Sequence, residues 1–249
     1  LFIPTFATDH RGPYLPATAL KGALRTGSVH ARWTEGTMRH FSERLGDDRL
    51  PRNPGVKLED GPLTRRLSAG DSSPISVASL KIYLARTSTV IPKGQDRVEL
   101  GWKPDITFAE MASPGTQISG VWSESSQDRG RIFQAANRYA AAQLASHLSY
   151  AERLGLADVA TAARGLLDRL ASVGNSTTSC LLCLGWGGGF LSKVAFQDTH
   201  NPHFRGFLRQ VPAYAKAIST GLPFPKTRRI VFENGRPSTL GGWSILEVS

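Results

Sequence analysis

The sequence predicts an α+β fold, and three observations carry that prediction. Short runs with strand character fall at 77–85, 105–111 and 116–122. Two long stretches, 129–152 and 156–174, repeat apolar residues at spacings of three and four. Further strand-like runs return at 179–184, 229–233 and 243–248. Strands and helices therefore mix without the strict alternation that a doubly wound parallel sheet needs, and helices on one face of antiparallel sheets fit better.

Taken in order, residues 1–15 read as an extended stretch with a turn at Arg11-Gly12-Pro13. Pro16 and Thr18 then announce a helix, with Thr18 as N-cap and Leu20, Ala23 and Leu24 as its apolar stripe. Residues 46–76 are rich in Gly, Pro, Asp and Arg and read as a long loop. The strands at 105–111 and 116–122 flank Pro114-Gly115, which suggests a hairpin. A boundary is expected near 123–128, where Ser, Glu, Gln and Asp break the apolar pattern. Phe133, Ala136, Ala140, Leu144 and Leu148 then mark the strongest helix, and a second ends near Gly174. The short apolar strand 179–184 runs into Gly185-Trp186-Gly187-Gly188-Gly189, and the tail turns at Asn234-Gly235 and Pro237.

Composition narrows the function. The chain has 249 residues, with 30 Lys+Arg against 20 Asp+Glu, a net charge of +10 and a pI near 10.1. Most of the cations are Arg, whose fork matches phosphate oxygens. No run approaches the ~20 apolar residues of a membrane span, and no basic amphipathic helix is evident, so nucleic acid ranks above a membrane as the polyanionic partner. Two cysteines suggest a reducing, cytoplasmic setting. The opening Leu1-Phe2-Ile3-Pro4 lacks a basic n-region, so no signal peptide is expected; it also lacks Met, as the interior of a longer protein would.

Adjacent glycines after an apolar strand contribute nothing to a core. They suit a sharply bent backbone or one that something approaches closely. Between Lys193 and Arg236 the chain carries eight Lys/Arg and two acids, so a phosphate backbone is the expected visitor. Trp186 and Phe190 flank the glycines and have the ring area to stack on bases, although for each alone a place in the core is the plainer reading. A second candidate is the helix start. Lys21 and Gly22 beside its unpaired N–H groups describe an anion site, or else a surface Lys beside a packing glycine. Cys180 and Cys183 lie three apart on a strand, on opposite faces, and read as small buried hydrophobes rather than metal ligands. Asp9-His10 beside Arg11 has the residue types for acid–base work on an RNA phosphodiester, with a solvated turn as the plainer reading.

At these residues the chain resembles a family. The run Pro16-Ala17-Thr18-Ala19-Leu20-Lys21-Gly22-Ala23-Leu24-Arg25 is similar to the helix start of the RAMP superfamily, the repeat-associated proteins of CRISPR effector complexes. Ala17 and Ala19 depart from that family's usual Gly and Ser. The glycine segment with Lys193 resembles the superfamily's hallmark loop, and Leu63–Leu67 with Asp71-Ser72 resembles a further block. The ending, Pro225-Lys226-Thr227-Arg228-Arg229 with Asn234-Gly235-Arg236-Pro237 and Gly242-Trp243, resembles the fifth-subunit family of type III-A (Csm) complexes.

The resemblance implies two ferredoxin-like (RRM-like) domains, 1–124 and 125–249, the first lacking its N-terminal strand. It implies a guide-RNA-binding subunit that caps the backbone filament at the guide 3′ end. Its partners would be guide RNA, target RNA and neighbouring RAMP backbone subunits, and it would need no cofactor, metal or catalytic residue. The expected RNA contacts are Thr18, Lys21, Gly22 and Arg25 at the helix start, Trp186, Gly187, Gly188, Gly189 and Lys193 at the glycines, and Lys226, Arg228 and Arg229 beyond them. Three alternatives stand beside it: an endoribonuclease using His10, a target-cutting subunit using Asp47 or Asp71, and a basic protein–protein adaptor.

Overall fold

A computed structural model describes residues 3–37, 67–94, 97–124, 128–198, 201–210, 214, 215, 218 and 224–249. A small hairpin, β1 (Ala7–Asp9) and β2 (Gly12–Tyr14), leads into helix α1 (Ala17–Arg32). Strands β3 (Leu67–Ser72), β4 (Leu80–Lys93), β5 (Arg97–Ala112) and β6 (Gly120–Glu124) follow. Helices α2 (Arg129–Arg153) and α3 (Ala157–Val173), strand β7 (Ser179–Cys183) and helix α4 (Pro202–Gln210) come next. The chain closes with β8 (Thr227–Glu233), β9 (Arg236–Thr239) and β10 (Trp243–Glu247).

All described strand pairs are antiparallel. One four-stranded sheet has the order β5-β4-β8-β9, joining strands from both sides of residue 124; β3 pairs with β6, and β7 with β10. The mixed helix-and-sheet class read from the sequence therefore holds. The two long helices fall where the apolar periodicity puts them, because Phe133, Ala136, Ala140 and Leu144 face inward on α2 as Val159, Ala163 and Leu170 do on α3.

Four local expectations are corrected. The strand expected from 77 begins at Leu80, after a single 3-10 turn over Val77–Ser79. The segments around Pro114-Gly115 do not pair with each other. β5 instead turns back on β4, from Leu80↔Ala112 to Lys93↔Arg97, leaving β6 to β3. Within the expected loop 46–76, residues 67–72 form β3; residues 46–66 lie outside the described residues. Strand β9 was read as a turn because it contains Pro237, but it lies at the sheet edge, where a missing N–H costs little. Helix α4 had no counterpart in the sequence reading.

Helix α2 is the central element, with twelve buried residues. Ile132, Phe133 and Ala136 join Leu24 of α1 and Cys180 and Leu182 of β7 in one cluster. Ala140 and Leu144 meet Leu170 of α3 and Leu181 of β7 in another. Strand β7 is thus apolar on both faces, which explains its continuous Cys-Leu-Leu-Cys run. Tyr150 and Ala151 continue the contact with α3 onto Ile230 and Phe232 of β8 and Val90 of β4. Helix α1 approaches α2 closely through Gly27, where a Cβ would stand 2.8 Å from the Ala136 Cα.

The same helix buries polar groups and ties them to other segments. Asn137 Oδ1 accepts from the Leu181 N–H (2.8 Å), and its amide donates to the Val173 carbonyl (3.1 Å). His147 is buried beside the Trp243 ring and near Arg228, and desolvation, reinforced by that guanidinium, pushes its imidazole from the usual 6.5 down to about 3. The unfolded chain takes up this proton near pH 6.5 and the folded chain does not. The neutral core histidine therefore costs nothing above that pH and destabilises the fold progressively between 6.5 and 3. Urea unfolding of His147→Leu from pH 7 downward tests this. Its stability should fall more gently than wild type between pH 6 and 4, by up to ~1.4 kcal/mol per pH unit. Identical slopes would show that His147 titrates normally.

Candidate nucleic-acid interface

The start of α1 is built by an acid from another strand. Pro16 stands in extended conformation at the N-cap position with no side-chain cap of its own, and Ala17 is the first helical residue. The Ala17 N–H donates to Asp71 Oδ1 at 2.7 Å. Next to it, Ser72 exchanges two hydrogen bonds with Leu15: its hydroxyl accepts from the Leu15 N–H (2.9 Å) and its N–H donates to the Leu15 carbonyl (3.0 Å). Thr18 is therefore not the cap but an exposed first-turn residue. The helix dipole is already met by the Asp71 carboxylate, so the helix start is not a vacant anion site. Asp71, an alternative candidate for RNA cutting, is engaged as a helix cap. Asp47 lies outside the described residues.

The glycines after β7 have two different physical causes. Gly185 (φ +75°) and Gly189 (φ +62°) occupy left-handed backbone conformations on either side of a 3-10 turn, Trp186–Gly188. Gly187 and Gly188 are explained by packing. A Cβ on Gly187 would stand 2.9 Å from the Gly241 carbonyl, and one on Gly188 would overlap the Ser192 side chain and come 2.8 Å from Cys183 Sγ. The close approach expected of a phosphate is made at Gly187 by the Gly241 backbone, and Gly188 is buried, whereas nothing lies within 4 Å of a Cβ placed on Gly189.

Polar side chains fix the segment that follows. The Tyr139 hydroxyl of α2 lies 2.5 Å from the Leu191 carbonyl and 2.9 Å from that of Val194, sharing its proton between them. Burial pushes this phenol well above its usual range. His30 Nδ1 of α1 lies 2.6 Å from the Ala195 carbonyl, and its ring tilts against Tyr139 at 5.2 Å between centroids. The imidazole is lowered by desolvation, with the Ala195 carbonyl opposing that shift. Sequence reasoning did not find Tyr139, whose only signal is an aromatic residue inside an alanine-rich helical stripe.

The cations expected at the interface divide. Arg228 is only 6% exposed. Its Nη1 donates to the Pro225 (2.5 Å) and Thr227 (2.9 Å) carbonyls, its Nη2 to Ser146 Oγ (3.1 Å), and the guanidinium lies over the Tyr150 ring. Desolvation lowers it to about 10. It is an internal clamp between β8 and α2 and does not face solvent phosphate. Arg229 stacks on Trp186, 3.8 Å from the ring centroid, and donates to the Trp186 carbonyl at 2.6 Å, so one face of that indole is covered. Lys226 is half-buried; Lys193 and Arg25 are exposed.

Helix α1 and the glycine segment nonetheless meet. A groove of about 330 Å³ runs between Ala19, Gly22, Ala23 and Thr26 on one side and Cys183, Leu184, Gly185, Ser192 and Lys193 on the other. Two motifs separated by some 160 positions thus form one concavity, with a lysine on its wall and no acid among its lining residues. Lys226, Arg228 and Arg229 are not part of it. Gly22 differs from Gly187 and Gly188, since nothing lies within 4 Å of a Cβ placed on it. Burial raises both thiols to about 12, so Cys180 and Cys183 stay protonated at neutral pH. Among the described residues no group of three or more His, Cys, Asp or Glu is placed to hold a metal ion, and no helix is long and apolar enough to cross a membrane. His10 sits exposed in the β1–β2 turn, where Asp9 pairs with Arg11 (2.7 Å).

The described residues form a mixed helix-and-sheet fold with antiparallel strands and this groove, on a strongly basic chain. No protein-family model matches the chain, and no curated protein matches it. Solved structures share its fold, two of them as follows. One is a chain in the cryo-EM structure of a Csm–crRNA–target RNA ternary complex of a type III-A CRISPR-Cas system, 18% identical with a TM-score of 0.63 over 99% of this chain and 75% of that one. The other is Csm5 of T. onnurineus, 15% identical with a TM-score of 0.54 over 98% of this chain and 73% of that one. The structural neighbours of this chain are therefore Csm-complex subunits, Csm5 among them.

The glycine assignments predict opposite outcomes for the same substitution. Gly188→Ala should destabilise the fold by about 1–3 kcal/mol through overpacking. Gly22→Ala should stabilise it by up to ~1 kcal/mol through helix propensity. Urea midpoints of the two variants check both. Equal effects would mean that the packing around Gly188 is wrongly described.

Proposed function

We propose that this protein is a non-catalytic guide-RNA-binding subunit of a type III-A (Csm) CRISPR effector complex in antiviral defence, a RAMP-superfamily member of the Csm5 kind. The observation that carries the reading is the convergence of the α1 motif and the glycine segment on one lysine-bearing groove, within a fold shared with Csm5. The chain would cap the backbone filament at the guide 3′ end, beside neighbouring backbone subunits and target RNA in the cytoplasm. Its halves 1–124 and 125–249 are read as two ferredoxin-like units contributing strands to one sheet. Lys21, Arg25 and Lys193 neutralise backbone phosphates near the groove, with Lys226 and Arg229 extending the basic surface. Such contacts position RNA without reading its bases, as a subunit serving many guides requires.

The endoribonuclease alternatives gain no support from the described geometry. Asp71 is committed to capping α1, and Asp9 to Arg11 rather than to orienting His10. Binding of a labelled mixed-sequence single-stranded RNA across a potassium chloride series, with a cleavage check in EDTA, tests the reading. Wild type should bind intact RNA with affinity falling steeply with salt. Lys21→Ala with Lys193→Ala should flatten the log–log slope by about 1.4, at ~0.7 per phosphate contact. An unchanged slope would remove these lysines from the RNA path. A discrete cut in EDTA would favour the ribonuclease, and no binding by folded protein would overturn RNA binding by the isolated subunit.

A further inference from the structure

We infer that a single water molecule is built into the interior of this fold, hydrogen-bonded to the side-chain amide of Gln143, whatever the groove outside it binds. Its site is a second, smaller cavity where α1, α2, β7 and the segment after the glycines meet, with Tyr139, Gln143, Cys183 and Ser192 among the lining side chains. Gln143 is only 1% exposed. Its Oε1 finds no hydrogen-bond partner within the protein. A buried amide left in that condition costs more than a made hydrogen bond returns, and nearly all such groups in folded proteins are bonded to protein or to an internal water.

The polar neighbours in the cavity have already committed their protons. The Tyr139 hydroxyl donates to the Leu191 and Val194 carbonyls, and the Ser192 hydroxyl donates to the Gly189 carbonyl (3.1 Å). The Cys183 thiol, which burial keeps protonated, is directed at the Gly241 carbonyl (4.0 Å). These side chains still offer lone pairs, but none has a proton left for Gln143 Oε1. The donor must come from a molecule in the cavity. Size and charge then select it. A volume of about 10 Å³ approaches the ~10–15 Å³ that one water requires and excludes anything larger. An ammonium ion has the size and the donors, but the lining contains no acid, and an unpaired buried cation is costly. Water brings two O–H donors and two lone pairs, enough to serve Gln143 and a hydroxyl oxygen at once. Rotating the amide by half a turn would put its NH2 in the same place, and water meets that end equally well. Tyr139 already ties α2 to the carbonyls of Leu191 and Val194, and a water shared by Gln143 and Ser192 adds a second link between the same two segments.

A crystal structure of the purified chain, at a resolution that shows other internal waters, tests this directly. One density peak within ~3.2 Å of the Gln143 amide is expected in the cavity. Featureless density there, or the amide bonded to a protein group, would overturn the inference. Gln143→Met gives an independent measurement in solution, because Met is flexible, unbranched and without an amide to satisfy. With the water in place the wild-type amide is already paired, so the urea midpoint of Gln143→Met should stand at or below that of wild type. A higher midpoint in the variant would mean that the amide had been buried unpaired, and the water would be ruled out. If the variant does not fold, the wild-type density alone decides between the two outcomes.

Discussion

The burial of helix α2 against elements from both ends of the chain is the constraint on which the rest of this structure depends. Covered by α1, α3, β7 and the end of β8, the helix buries twelve residues and keeps one exposed stripe, through Arg131, Gln134, Arg138, Ala145, Ser149 and Glu152. Several of its buried polar residues find partners in what packs against them, because an unpaired buried polar group costs more than a hydrogen bond returns. Asn137 takes backbone groups of β7 and of the end of α3. Tyr139 takes the carbonyls after the glycine segment, and Ser146 and Tyr150 receive Arg228. Each of these bonds joins segments far apart in the chain, so a single helix sets the relative position of most of the fold.

The groove follows from that arrangement. Gly27 lets α1 lie close on α2, and Tyr139 and His30 hold the 191–195 segment against the same pair of helices. The glycine segment bends between β7 and that anchor, locked by its contact with Gly241 and the Leu184–Gly242 hydrogen bond (2.7 Å). Two walls built from different parts of the sequence are thereby held apart by a fixed distance.

The cations show how a basic composition is divided between structure and function. Arg228 is buried and held by carbonyl oxygens, a hydroxyl and an aromatic face. Arg229 braces the glycine segment through Trp186. Arg11 pairs with Asp9 within its own turn. A share of the charge that made nucleic acid attractive from composition thus holds the fold together, and fewer cations stand free on the surface than the count of Lys and Arg suggests.

The sequence by itself determined the class of fold, the two long helices and the strand leading into the glycines, because period and run length are local properties that survive burial. It also determined that α1 and the glycine segment matter, since a helix-breaking glycine and a glycine run each need a reason. What the tertiary structure alone decided was the reason in each case. The cap of α1 comes from Asp71, 54 positions away, and the neighbour of Gly187 is Gly241, contacts between segments that no local pattern encodes. Strand pairing was likewise decided by which faces had to be covered, so β6 went to β3 and β5 to β4. Arg228 and Lys193 look alike as cations in a basic tail. Only the packing of β8 on α2 turned one inward and left the other on the groove wall.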